Sequence, residues 1–237
     1  MNLGQRFLGV FTNPKETFSL LAERPIWVDA MIIVLIASII YGFLIAPISA
    51  KDNYEIMQGA TKLRSQLGEE QFNTMLEQSR QRAEQQSTSQ RLVQGAGAGL
   101  MTVIAILIQT LILMLISKFF STQGSYQQLM SAMFHANFIN SILGNFLRFM
   151  LASAKQSLMK VSTGLAVFFP GLEPTSTGFI ILNSIDFFQL WMFGVLGYAI
   201  SAIFKIELKK ALVISYVFWA LKTIFNLALG IFSLSRL

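Results

Sequence analysis

The sequence predicts an all-α polytopic membrane protein whose core is a bundle of five transmembrane helices. Hydrophobic residues make up 54% of the 237 residues and charged residues 13%, whereas a soluble domain carries about a quarter charged residues. The only sizeable polar segment, residues 51–91, holds six basic and six acidic side chains, so the net charge of +6 belongs to the apolar remainder. Five apolar segments reach the roughly 20 residues that a helix needs to cross a bilayer. They are residues 26–48, 95–116, 129–151, 179–204 and 211–234.

Residues 1–25 are expected to form a cytoplasmic segment that lies in the membrane interface. Asn13 is a suitable N-cap, Pro14 suits the first helical turn, and Glu16 stands where a capping-box partner belongs. The resulting helix should end before Pro25, because proline disfavours helical geometry in the residue before it. The apolar run FLGVF is too short for a cleavable signal, so the first span is expected to be an uncleaved anchor.

Residues 51–93 form a polar insertion between the first and second spans. Apolar residues recur at helical spacing on both sides of Gly68, which predicts an extracytoplasmic hairpin of two amphipathic helices. Gly95 and Gly99 then open the second span. A pair of glycines at this spacing permits close contact between membrane helices, although alternating glycine and alanine equally fit a flexible segment.

Lysine and arginine residues in the short flanks predict the orientation of the spans. With the N-terminus inside, the inner flanks hold seven such residues and the outer flanks four. The inner residues are Arg6, Lys15, Arg24, Lys118, Lys205, Lys209 and Lys210. The outer residues are Arg148, Lys155, Lys160 and Arg236. The N-terminus is therefore predicted to be cytoplasmic, and the polar insertion and the C-terminus extracytoplasmic.

Each of the last three spans carries polar side chains along one helical face. Polar groups that face lipid cannot be satisfied, so these faces are predicted to meet inside the bundle as one intramembrane polar network. The network comprises Asn145 and Arg148 of the third span, Asn183 and Asp186 of the fourth, and Lys222 and Asn226 of the fifth. Gly197 shares the face of Asp186 and is expected at a helix contact.

Asp186 and Lys222 are predicted to form an ion pair, because they lie at similar depth. Counted along the helices, Asp186 is about 10 Å and Lys222 about 13 Å from the outer side of the bilayer core. Arg148, nearer the outer surface, is the competing partner. Two interpretations stay open: a structural tie between helices, or a proton or substrate relay, since ionisable residues within membranes often mark a pathway.

The chain offers no pattern that is typical of a catalytic, cofactor or metal site. It has no cysteine, no Walker A, GxSxG or HExxH motif and no acidic pair at catalytic spacing. His135 is the single histidine and has no second ligand nearby. The sequence shows no basic groove interleaved with aromatic residues, so nucleic-acid binding is not expected. The protein is therefore expected to have no enzymatic activity and no cofactor.

Three stretches in order carry a family resemblance. They are LGVFTNPKETFSLLAERPIW from Leu8, QGSYQQLMSAMF from Gln123 and SIDFFQLWMFGVLGYAISAIFKIELKKAL from Ser184. Together they resemble the Yip1 domain family, in particular its bacterial branch. This family has an N-P-x-E-T-F element before its first span, a Gly-Ser-aromatic opening to the third, and an aspartate–aromatic–Trp fourth span.

The resemblance implies a five-helix bundle in the bacterial cytoplasmic membrane, with a cytoplasmic N-terminus. Eukaryotic relatives act with Rab GTPases, but this chain lacks their long polar N-terminal region and the D-L-Y-G-P-type element, so that role is not carried over. HANFINSIL stands where the family's third span usually has a proline, which leaves the shape of this helix open. Some bacterial members resemble accessory subunits found with ABC-type exporters of the MacB kind.

Two functions are consistent with these features. The first is a non-catalytic adaptor or accessory subunit for another membrane protein, because the chain has no catalytic constellation and its outer helical pair and glycine-rich faces could dock a partner. The alternative is a small transporter, ion pathway or lipid-moving protein that uses the polar interior of the last three spans. The expected partners are membrane lipid, another membrane protein such as an ABC-type transporter component, and a second copy of the chain.

Overall fold

Helices account for almost all regular structure in this protein. The computed structural model describes residues 1–234, and the only β-pairing in this part of the chain is one isolated bridge. The all-α prediction is therefore confirmed. In order, the α-helices are α1 (Leu3–Thr12), α2 (Pro14–Glu23), α3 (Val28–Gln58), α4 (Thr61–Leu67), α5 (Glu69–Glu84), α6 (Thr88–Lys118), α7 (Tyr126–Phe138), α8 (Asn145–Lys155), α9 (Thr177–Ser184), α10 (Phe187–Phe204) and α11 (Leu208–Leu234). Arg236, one of the predicted outer charges, lies outside the described residues.

Four of the described helices are long and apolar enough to cross a membrane, namely α3, α6, α10 and α11. Helices α3 and α6 pack along each other, and α10 and α11 form an antiparallel pair in which Ser215 of α11 donates to the Phe193 carbonyl of α10 at 2.6 Å. Burial differs strongly within this set, since 56% of the α10 span is buried inside the protein but only 17% of the α11 span. Helix α10 is therefore central, and α11 lies at the edge of the bundle.

The helical path expected as the third span runs from Tyr126 to Lys155 without a break. Its middle part, Ile139–Gly144, is a π-helix that joins α7 to α8. Helix α7 is buried along nearly its whole length. Its buried polar side chains have hydrogen-bond partners both within the helix and in other segments. The Asn137 amide donates to the Met133 carbonyl at 2.8 Å, and the Ser131 hydroxyl donates to the Ile26 carbonyl at 2.8 Å. This polar segment therefore forms the interior of the bundle.

The continuous helix expected over residues 179–204 is interrupted at Asp186, and this corrects the predicted fourth span. Helix α9 ends at Ser184, and α10 begins with Asp186 as its N-cap. The backbone between them pairs with the preceding loop, because Leu165 N–H donates to the Ile185 carbonyl at 3.2 Å. Aspartate favours N-cap positions over helix interiors, since its carboxylate competes for backbone donors. Asp186 therefore marks the start of a helix, whereas the sequence predicted that it would lie within a continuous helix.

The N-terminal segment contains two short helices where one was predicted. Helix α2 begins at Pro14 as expected, and its apolar face, which includes Phe18, is buried. Asn13 occupies the N-cap position, but its amide donates to Glu16 Oε2 at 2.5 Å and makes no hydrogen bond to the helix backbone. The predicted capping box is therefore not formed.

Helices α1 and α2 pack against α7 and α10. The ring centroid of Phe7 lies 5.3 Å from that of Phe138, and the ring centroid of Phe11 lies 5.8 Å from that of Trp191. Trp191 lies about 20 Å along α10 from the last residue of that helix. The segment therefore packs on the bundle as two helices, whereas the sequence predicted one, and its location in the membrane interface stays a prediction.

The polar insertion forms α4 and α5 on either side of Gly68, whose φ of +79° is a conformation that glycine adopts easily. Helix α3 runs through Pro47 into the insertion, so the first predicted amphipathic helix is shortened. Helix α5 packs on this extension of α3 and buries Phe72. Across the glycine, Arg64 donates to Glu69 at 2.7 and 2.9 Å, and these hydrogen bonds lower the pKa of the Glu69 carboxyl.

Candidate functional site

A buried ion pair joins α8 to the start of α10. Arg148 Nη2 donates to Asp186 Oδ2 at 2.9 Å, and the Thr163 hydroxyl donates to the same oxygen. The second carboxylate oxygen accepts from the Gln189 N–H at 2.9 Å. Only 6% of the Asp186 surface is exposed. A carboxylate at this burial needs a partner charge and hydrogen bonds, and this one has both.

The Arg148 guanidinium extends this pair into a larger polar network. Its Nη1 donates to Asn145 Oδ1 at 3.1 Å and its Nη2 to Asn140 Oδ1 at 3.0 Å. Its Nε donates to the Thr163 hydroxyl at 3.1 Å, and the guanidinium carbon lies 5.8 Å from the centre of the Phe188 ring. Asn140 belongs to the π-helix, so the π-turn contributes directly to the network.

Lys222 does not form the predicted pair with Asp186. Its ammonium donates to Gln189 Oε1 at 2.7 Å and lies 5.2 Å from the centre of the Phe193 ring. The prediction assumed that Asp186 lay within a continuous helix. Because Asp186 is instead the N-cap of α10, its carboxylate meets Arg148, the competing partner, and Gln189 of the first turn meets Lys222.

Asn183 and Asn226 lie apart from the ion pair. Asn183 is in α9 and Asn226 is an exposed residue of α11. Both line a separate cleft of about 410 Å³. The six polar residues predicted to form one network therefore divide into two places: Asn145, Arg148, Asp186 and Lys222 around the start of α10, and the two remaining asparagines in the cleft between α9 and α11.

The predicted small residues lie at close approaches of helices. A methyl group added at Gly95 would lie 2.6 Å from the Ile39 carbonyl oxygen, and one at Gly99 would lie 2.5 Å from Ile39 Cγ1. A methyl group added at Gly197 of α10 would lie 2.5 Å from Leu212 Cδ2 of α11. These distances are shorter than van der Waals contact. At Gly95 the obstacle is a backbone atom, so the α3–α6 crossing excludes a side chain there, whereas at Gly99 and Gly197 a neighbouring side chain would have to move.

A cavity of about 320 Å³ lies beside the ion pair, between α3, α6, the π-helix, α10 and α11. Asn140 and Asn145, which both accept hydrogen bonds from Arg148, also line it. Polar groups make up much of its wall. They are Ser38, Tyr41, Thr102, Gln109, Asn137, Asn140, Ser141, Asn145 and Lys222.

Two lining groups have unused hydrogen-bonding capacity. The Ser38 hydroxyl is buried, with 3% of the residue exposed, and has no partner among the described residues. Lys222 donates one hydrogen bond, although an ammonium has three N–H groups. No aspartate or glutamate of the described chain lines the cavity. The cavity is therefore a polar space with one cation and spare donors.

A second buried ionic cluster joins the N-terminal helices to the bundle. Arg6, only 5% exposed, donates to Asp29 through both terminal nitrogens and lies 3.1 Å from His135 Nε2. His135 Nδ1 lies 2.8 Å from the Ser131 carbonyl. Because a carbonyl only accepts, Nδ1 carries the proton, and Nε2 accepts from Arg6. Sequence reasoning missed this cluster, because 129 residues separate Arg6 from His135.

The fold and the polar interior define the class of this protein: an all-α membrane protein with a buried ionic network between its helices. The described residues contain no group of three or more histidine, cysteine, aspartate or glutamate side chains placed to hold a metal ion. The family model of the Yip1 domain matches residues 8–230. The chain therefore belongs to the Yip1 domain family, as the three sequence stretches predicted. A comparison with curated proteins and with solved structures finds no match.

Proposed function

We propose that this Yip1-family protein is a non-catalytic adaptor, an accessory subunit that binds another membrane protein. The observation that supports this proposal is a polar helical platform on two helices that are longer than a bilayer core is thick. Helices α3 and α6 have 31 residues each, about 46 Å at the usual rise, which exceeds a bilayer core of about 30 Å. The platform consists of α4, α5 and the adjoining ends of α3 and α6, and its surface is largely polar.

The platform is anchored to the rest of the chain, as a docking surface requires. Asp52, in the extension of α3, is only 5% exposed. Its Oδ2 accepts from the Leu158 N–H at 2.6 Å and from the Met159 N–H at 3.2 Å. These hydrogen bonds join the α3 extension to the loop that follows α8. A partner that binds the platform would therefore be coupled to the helices in the bilayer.

The proposed arrangement has five spans, with the path from α7 through the π-helix to α8 as the third. Its 30 residues, Tyr126 to Lys155, exceed the roughly 20 that a span needs. The N-terminus is then cytoplasmic, as the charged flanks favour, and α4 and α5 are extracytoplasmic. We place the protein in the bacterial cytoplasmic membrane because its three family-like stretches resemble the bacterial branch of the Yip1 domain family.

The proposed partner is a component of an ABC-type exporter of the MacB kind, because the resemblance of some bacterial members to accessory subunits of such exporters favours this class. A second copy of the chain is the alternative partner. The polar, mixed-charge surface of α5 fits an extramembrane protein surface, since non-obligate interfaces are about as polar as the rest of a protein surface.

The test is site-specific photocrosslinking in native membranes. A crosslinking residue is placed at Asn73 or at Gln78, both exposed on α5, and the matched control is placed at Ile108, which is 54% exposed on the apolar surface of α6. We expect a discrete membrane-protein adduct from the α5 positions and none from Ile108. Crosslinks to a second copy alone, or none from α5, would contradict the adaptor proposal.

A second candidate function is transport of a small solute or lipid through the polar interior. The observation that favours it is the polar cavity beside the Arg148–Asp186 pair. Liposomes that contain the purified protein would be assayed for ion flux and for movement of labelled lipid between leaflets. Lys222→Met should reduce such movement, whereas Lys210→Met, at an exposed lysine of the same helix, should not. Absence of movement in the parent protein would exclude this function.

A further inference from the structure

The polar cavity has the charge of an anion site. Lys222 is its only ionised lining residue, and no carboxylate among the described residues lines it. The nearest acidic partner that the sequence offered, Asp186, is already paired with Arg148 and Thr163. The ammonium has a neutral partner, Gln189, and retains two N–H groups. Lys222 is half-buried and makes no direct ion pair among the described residues, so an anion in this cavity would be stabilised by its charge.

Several neutral lining groups can still donate hydrogen bonds. Asn140 and Asn145 each use the amide oxygen to accept from Arg148, which leaves their NH₂ groups as donors. The Ser38 hydroxyl is buried without a partner. Donors from hydroxyl, amide and ammonium groups together match an oxyanion such as a phosphate, which only accepts when it is fully ionised.

The position of the cavity selects a lipid over a soluble anion. Helix α11 packs chiefly on α10 and makes few contacts with α6, so we infer that the route from the lipid to the cavity runs between α6 and α11. Both helices expose apolar side chains along the bilayer, for example Ile108 and Phe225. A volume of about 320 Å³ is at the small end of ligand sites. It fits a polar headgroup whose acyl chains remain outside among the lipids.

We propose that the cavity between α3, α6, the π-helix, α10 and α11 binds the phosphate headgroup of an anionic membrane lipid. Lys222 supplies the charge, and the amides of Asn140 and Asn145 and the Ser38 hydroxyl supply hydrogen bonds. The acyl chains leave through the opening between α6 and α11. This site is independent of the platform, so lipid binding and the adaptor function can fail separately.

The test is thermal unfolding of the purified protein in a neutral detergent, with three probes at matched concentration. The probes are short-chain phosphatidylglycerol, short-chain phosphatidylcholine and inorganic phosphate. At about 100 times its Kd, phosphatidylglycerol should raise the Tm by about 5–10 °C. We expect a clearly smaller rise with phosphatidylcholine, whose headgroup has no net charge, and none with inorganic phosphate.

Four variants connect the response to the site. Lys222→Met removes the charge and Ala105→Leu fills the cavity from α6, where Ala105 is part of the lining, so both should lose most of the Tm rise. Lys222→Arg keeps the charge and should retain it. Lys210→Met, an exposed lysine of α11, is the matched control and should respond like the parent.

Three results would overturn the proposal. An equal rise with phosphatidylcholine, or one with inorganic phosphate alone, would mean that no anionic lipid is selected. A full response of Lys222→Met would mean that the lipid binds elsewhere. If either loss-of-binding variant unfolds before the assay, the remaining variant together with Lys222→Arg still decides between the outcomes.

Discussion

Arg148 and Asp186 lie 38 residues apart in the sequence, and an N–H···O hydrogen bond of 2.9 Å joins them. The arginine belongs to α8, and the aspartate caps the N-terminus of α10. The carboxylate thus ends a helical break and neutralises a guanidinium, and that guanidinium in turn donates to Asn140 and Asn145, which line the polar cavity. The predictions below separate these roles.

Asp186→Asn is expected to destabilise the protein by about 3 kcal/mol, at the low end for a broken buried pair, because the Arg148 side chain is 19% exposed. Asparagine is as good an N-cap as aspartate, so the loss would report the ion pair. Asp186→Ala should cost about 1 kcal/mol more through the missing cap. Denaturant or thermal unfolding in detergent measures both. Adding Arg148→Met should recover part of the loss, and a strictly additive double variant would argue against the pairing.

Lys222→Met is expected to leave stability unchanged or to raise it slightly. The lysine has no carboxylate partner, and its removal relieves the cost of burying an unpaired cation. If Lys222 were instead the partner of Asp186, its loss would cost as much as Asp186→Asn. Unfolding of the two variants, measured in parallel without added lipid, distinguishes these cases.

Gly95→Ala is expected to destabilise the α3–α6 crossing by about 1–3 kcal/mol, as overpacking typically does. The new methyl group would meet the Ile39 carbonyl oxygen, a backbone atom that cannot rotate away. Gly97→Ala is the control, since open space surrounds that position, and it should be neutral or stabilising by up to about 1 kcal/mol. Similar unfolding of both variants would mean that the helices do not cross at Gly95.

Asp29→Asn is expected to loosen α1 and α2 from the bundle. It removes the carboxylate that holds the buried Arg6 guanidinium. The Asp29 side chain is 34% exposed, so solvent screening lowers the expected loss to about 1 kcal/mol. Trypsin should then cut at Lys15 about five times faster. Glu70→Gln, an acid-to-amide change at an exposed site of α5 away from the cleaved bond, should cut at the parent rate, and equal rates for both variants would contradict the role of Asp29.

The helical class and a few helix boundaries follow from local sequence signals. Apolar length predicts the spans, Pro14 predicts the start of α2, and Gly68 predicts the turn between α4 and α5. These signals work because helix formation depends on residues within a few positions of each other. The family resemblance was equally readable, since its motifs are contiguous stretches.

The partners of the buried charges were not predictable in the same way. The depth of each residue along an ideal helix predicted that Asp186 would pair with Lys222. Because the helix is interrupted at Asp186, its carboxylate pairs with Arg148 instead. The Arg6–Asp29–His135 cluster and the cavity around Ser38 depend on how helices from opposite ends of the chain pack together. No local pattern contains that information.

The sequence by itself determined that this chain is a helical membrane protein of the Yip1 domain family, and that polar residues would lie inside the bundle. Apolar length and polarity decide those points, because lipid excludes unsatisfied polar groups. Only the tertiary structure decided that Arg148 holds Asp186, and that Lys222 faces a cavity without a counter-ion. Those outcomes depend on a helix break and on distances between chain segments. A change of about 1 Å in such a distance is enough to form or break a hydrogen bond, and local sequence patterns do not specify distances that finely.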